Sequence, residues 1–167
     1  MGSDIDGEAA SDYSGVSVSI NADGDRVAIG ASGNDGNGSN SGHVRVYSWN
    51  GSSWTQLGSD IDGEAASDNS GYSVSMNSDG DRVAIGATDN DGSGSNSGHV
   101  RVYEYSGGSW SQLGSDIDGE AASDQSGNSV SMNSDGDRVA IGARYNDGTG
   151  SSAVSYTHLT LPTICSV

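Results

Sequence analysis

The sequence is poor in most of what a compact domain relies on. Its 167 residues hold no Phe, no Lys, one Pro and one Cys, and hydrophobic types make up only 32%. A single Cys excludes an intrachain disulfide framework. No apolar run approaches the roughly 18 residues of a membrane span. Met1 stands where Leu57 and Leu113 stand in later copies of a repeat, so the lack of a basic and apolar leader carries no information. Six Arg against 23 acidic residues leave a formal charge of −17. That balance repels nucleic acid and anionic membrane surfaces, so neither nucleic-acid binding nor membrane insertion is expected. Divalent cations, or saline surroundings, suit so many carboxylates better. Scarce aliphatics and high charge are nominally a signature of disorder. What overrules it is regularity: the few apolar residues alternate with polar ones and return at identical places.

The stretch SGYSVSMNSDGDRVAIGA at 70–87 recurs, nearly unchanged, at 14–31 and 126–143. The period is 56 residues, which points to stacked copies of one supersecondary unit. Each copy reads as two short alternating strands around an N-x-D-G-D turn. An exposed loop of Asn, Asp, Gly and Ser follows. Next come a third alternating strand, HVRVY at 43–47 and 99–103, and a fourth from Trp54 and Trp110. Four short strands in hairpin order, with a longer link to the next unit, form the pattern of a propeller blade. The fold expected is all-β: four-stranded antiparallel blades making an incomplete β-propeller of about two and a half blades.

The divisions follow from the repeat. Residues 1–13 end a preceding blade and form an interblade loop; 14–69 and 70–125 are each a blade with its loop. The first half of a third blade occupies 126–153, and it stops after its second strand. Propellers close with about 4–8 blades, so further blades of a longer chain are the expected partners of these. Residues 154–167 break the register and hold the only Pro and the only Cys. VSYTHLTLPT within them resembles the in-frame translation of a transposase-type sequencing-library adapter. This tail is therefore read as non-native.

The residues also resemble a family. S-D-x-S-G-x-S-V followed by N-x-D-G-D-x-V-A-I-G-A is similar to the FG-GAP repeat of integrin α-type propellers, as found in repetitive secreted bacterial proteins. Ser14, Ser70 and Ser126 stand where that family has Phe, and Ser32, Thr88 and Arg144 where it has a closing Pro. The resemblance implies a β-propeller, an extracellular or cell-surface location and a role in adhesion.

Calcium is the chemistry that the loops suggest, because Ca²⁺ takes carboxylates at alternate positions of a Gly-turned loop. In DIDGEAASD, Asp60, Asp62, Glu64 and Asp68 stand at positions 1, 3, 5 and 9. The copies are Asp4, Asp6, Glu8 and Asp12, and Asp116, Asp118, Glu120 and Asp124. The turn is the second choice, through Asn21, Asp23 and Asp25, Asn77, Asp79 and Asp81, and Asn133, Asp135 and Asp137. Each turn supplies three ligands and no fourth, since Ile85 fills position 9. An ordinary Asx turn also explains both stretches. His43 and His99 have no His or Cys partner within their units and read as structural. Trp54 and Trp110 are expected to pack between blades. No nucleophile elbow or other catalytic constellation is present. The reading is an extracellular, non-enzymatic repeat module for adhesion or protein interaction, binding a protein or glycan and stiffened by calcium. The alternative is a scaffold for a larger secreted, glycan-acting enzyme.

Overall fold

The computed structural model describes residues 2–147 and the backbone of 155–160. Every regular element among them is a strand. In the first unit β1 (Ser17–Ile20), β2 (Arg26–Ala31), β3 (His43–Trp49) and β4 (Trp54–Gln56) form an antiparallel meander. The fourth strand is broken after Gln56, and its continuation, β5 (Ile61–Asp62), returns to pair with the start of β3. Gly58, at φ +78°, lies in the break.

The second unit repeats this plan with β6 (Ser70–Met76), β7 (Arg82–Ala87), β8 (His99–Ser106), β9 (Ser109–Gln112) and β10 (Ile117–Asp118). The third has β11 (Ser126–Met132) and β12 (Arg138–Ala143), joined by β13 (Ser155–Thr160). That last strand pairs Ala143 with Ser155 as β7 and β8 pair Ala87 with His99, one repeat period earlier. The backbone thus continues the third sheet past the hairpin at which the sequence reading ended it. An open strand edge offers unpaired N–H and C=O groups to any extended segment that reaches it. The rest of the 154–167 tail lies outside the described residues.

Alternation decides which side chains meet, because successive residues of a strand point to opposite faces. Ala28, Val44, Val46 and Ile61 of the first sheet pack against Met76, Val83 and Ile85 of the second. Ala84, Val100, Val102 and Leu113 of the second pack likewise against Val139 and Ile141 of the third. The core is therefore not inside any sheet but between consecutive ones, as in stacked blades. The serine face of each hairpin is used as well. Ser17 Oγ donates to Gly71 O and Met76 N donates to Ser19 Oγ, and Ser73 and Ser75 repeat both bonds with Gly127 and Met132.

Backbone bonds tie the copies further. Ala22 N donates to Ser78 O, and Ser78 N donates to Ser134 O, so the hairpin turns form a row. The approach is close enough to demand glycine at Gly86. A Cβ there would stand 2.2 Å from Gly127 O in the next unit.

Candidate functional site

The interblade loop 58–69 is held at both ends. Its start joins the first sheet through β5, and Gly63 N donates to Gly42 O. Its end runs beside residues 39–41, where Ser67, Asn69 and Ser70 N–H groups donate to Ser39, Asn40 and Ser41 carbonyls. The same bonds recur one period later at Gly119, Ser123, Gln125 and Ser126. Position 9 of the loop is buried and occupied. Asp68 Oδ2 accepts from Ala65 N at 3.1 Å and from Asn90 Nδ2 at 3.1 Å. Asp12 and Asp124 bond Ala9 with Asn34, and Ala121 with Asn146, in the same way.

The other carboxylates of the loop part company. Asp60 turns back to the first sheet, where Asp60 Oδ2 is 3.7 Å from His43 Nδ1, and Glu8 Oε2 lies 3.9 Å from the same nitrogen. Glu64 turns forward to the second sheet, with Oε2 at 3.9 Å from His99 Nδ1, and Asp116 Oδ2 completes that group at 3.8 Å. The ligand atoms of each trio lie within 4.8 Å of one another, and these two trios are the metal-capable groups among the described residues. The four carboxylates of a single loop do not assemble into such a group. Asp4, Asp6, Asp62 and Asp118 are exposed and join neither trio; Glu120 joins neither as well and accepts from Asn146, as Glu8 Oε2 accepts from Asn34 Nδ2. The hairpin turns are self-contained. Asn77 Oδ1 accepts from Asp81 N and Arg82 N while its amide donates to Asp81 Oδ1, and Asn21 and Asn133 do the same with Asp25 and Asp137. Asp23, Asp79 and Asp135 are exposed at the turn tips.

The histidines are the residues that the sequence reading set aside. His43 and His99 are 1% exposed, at the head of β3 and β8. Buried Arg45 and Arg101 follow on the same strand face. Arg101 Nη1 lies 3.4 Å from Glu64 Oε1, and Arg101 Nη2 donates to Asp62 O; Arg45 does the same with Glu8 and Asp6. Each Glu therefore offers one oxygen to Arg and the other to His. Burial pushes the His99 imidazole below its ordinary pKa, and Arg101 adds to this, while Asp116, Glu64 and Asp68 pull the other way. Burial raises Tyr103, and partial desolvation with the nearby Asp60 charge raises Asp62 although its side chain stays open to water. The signal for the histidine site was present in HVRVY. His and Arg at alternate positions of a buried strand need acidic partners somewhere. The partners lie 35 residues before, on the preceding loop, and 17 residues after, on the following one. Trp110 does pack between sheets, against the first core cluster, and its Nε1 donates to Leu57 O at 2.7 Å.

Comparison with known proteins fixes the repeat. Residues 5–47 match the FG-GAP repeat family. That segment is an FG-GAP repeat. The matched FG-GAP segment runs from the acidic loop through β1 and β2 to Tyr47 of β3, and so holds Glu8 and His43 but not Asp60. Among solved structures, the chain resembles hydrazine synthase of Kuenenia stuttgartiensis at 12% identity and TM-score 0.52, covering 86% of this chain and 33% of that one. It also resembles a Bacteroides uniformis protein assigned as a 6-phosphogluconolactonase, at 14% identity and TM-score 0.50, covering 86% and 40%. At such identities the likeness is one of fold, and the chain spans less than half the length of either. No curated protein matches the chain. The three sheets are those of an incomplete β-propeller.

Proposed function

We propose that the chain is a non-enzymatic interaction module that works in adhesion outside the cell, with calcium acting on its acidic loops. The observation that carries this reading is the periodic acidic loop. Asp4, Asp60 and Asp116, with Glu8, Glu64 and Glu120, recur at the 56-residue period, one Asp and one Glu of this set per interblade loop. Identical groups at a fixed spacing suit an extended or repeated protein or glycan surface. Catalysis instead needs unlike groups converging on one reacting atom. The FG-GAP match adds support, because such repeats are common in extracellular proteins. Calcium in this reading screens a spread of carboxylates and is not caged by one loop, so it acts in the millimolar range of extracellular modules.

The test is binding of the purified chain to immobilised extracellular-matrix proteins and glycans, with about 1 mM Ca²⁺ and with chelator. Calcium-dependent retention is the expected result. Failure to bind any of them in both conditions removes the adhesion reading. A melting temperature indifferent to millimolar Ca²⁺ removes calcium from it.

A further inference from the structure

We propose that each Glu–His–Asp trio, Glu8–His43–Asp60 and Glu64–His99–Asp116, binds one first-row transition-metal ion of the Zn²⁺ or Co²⁺ type. This goes beyond the adhesion reading and does not depend on it. The second trio carries an unsatisfied atom: His99 Nδ1 is buried and has no hydrogen-bond partner among the described residues. A buried polar atom without a partner is rare and asks for an explanation. That nitrogen has two carboxylate oxygens near it, Asp116 Oδ2 at 3.8 Å and Glu64 Oε2 at 3.9 Å, both too far for hydrogen bonds. Donors sharing an ion at about 2.0–2.2 Å sit roughly 3–4 Å apart, so the histidine-to-carboxylate distances already match a shared ion, and the two carboxylates, within 4.8 Å of each other, would close onto it.

The donor set selects the metal. One imidazole nitrogen and two carboxylate oxygens suit Zn²⁺, Co²⁺ or Ni²⁺, whereas Ca²⁺ takes an all-oxygen shell of six to eight ligands. The supporting groups are of the kind that orients metal ligands. Arg45 and Arg101 hold the second oxygen of each Glu, which aims the first oxygen at the histidine. Two carboxylates per trio also offset the arginine, so a divalent ion enters a site that is not positively charged.

Topology makes each ion a staple. The Glu comes from the loop before a blade, the His from the blade's third strand and the Asp from the loop after it. Loop 58–69 serves both sites, Asp60 in the first and Glu64 in the second. In the third unit, the register position of His43 and His99 falls on Ser155. The expected capacity of the chain is therefore two ions and not three.

Equilibrium dialysis of the full chain against micromolar Co²⁺, read by metal content and by the visible d–d spectrum, tests the proposal. Two ions per chain are expected, with a band reporting mixed nitrogen and oxygen ligation. Glu64→Gln combined with Asp116→Asn should leave one ion, and so should His99→Gln. The amide variants keep side-chain shape at half-exposed positions, so their folding is checked independently by far-UV circular dichroism. Zn²⁺ should displace Co²⁺, and equimolar Ca²⁺ should not. Absence of Co²⁺ uptake, uptake unchanged in the folded amide variant, or displacement by equimolar Ca²⁺ would each overturn it. None of these outcomes bears on whether the chain adheres to a matrix.

Discussion

The first and second hairpins have nearly the same sequence and very different surroundings. In β1, Val18 is 63% exposed and Ile20 is 58% exposed, while Met76, the counterpart of Ile20 in β6, is 7% exposed. Val27 and Ile29 are half-buried, whereas Val83 and Ile85 are almost wholly buried. The difference that bears on burial is that β6 and β7 have the first sheet in front of them. Alternation sets the face on which a side chain stands, and the neighbouring copy decides whether water reaches it. Burial in this molecule is a property of pairs of units.

The largest expected effect follows directly. Ile85→Ala should destabilise the chain by about 3 kcal/mol, and Ile29→Ala by about 1 kcal/mol, read from urea midpoints at unchanged m-value. Equal losses at the two sites would break the comparison. Next comes close approach. Gly86→Ala pushes a methyl group against Gly127 O of the following unit and should cost about 2 kcal/mol. At Gly142 the nearest atoms among the described residues all belong to Ser129 of its own sheet, with the hydroxyl foremost, so a rotamer change should absorb most of the same substitution. Thermal melts of the two variants side by side measure the difference.

The loops provide the contrary case, in which the two regions should agree. Asp12 and Asp68 bond the same pair of partners, so Asp12→Ala and Asp68→Ala should each lose about 1 kcal/mol. A gap of more than about half of that would mean that the open face disturbs the loop as well. The smallest effect belongs to the exposed patch. Val18→Ser should change stability by less than about 0.5 kcal/mol. It should also lower any self-association seen by sedimentation, because Val16, Val18, Ile20 and Tyr13 form an uncovered apolar surface.

The strands were legible because their determinants are local. Two-residue alternation and the N-x-D-G-D turn placed β6 and β7 within their observed bounds, and the 56-residue period predicted stacking. The site was legible only in its parts. Asp60 and Glu64 stand four residues apart in a pattern resembling a calcium loop, but β5 pairs with β3 and turns Asp60 toward the first sheet. Glu64 meanwhile follows Arg101 of the second sheet. Spacing along a loop states which ligands are near in sequence, whereas the groups that assemble here come from different repeats. Their register is fixed by sheet pairing, which no local motif reports. The broken fourth strand escaped for a related reason. Gly58 can adopt its positive φ in many contexts, and only pairing with β3 shows that the chain uses it to leave the sheet and return.

The row of turn-to-turn bonds from Ala22 through Ser78 to Ser134 gives the array a polarity, since each turn donates its N–H to the next and lends its carbonyl to the one before. Such an assembly grows like a one-dimensional lattice, and its resistance to unfolding is counted in junctions more than in sheets. Three sheets share two junctions, and each further copy inserted in phase would contribute one more, in equal increments.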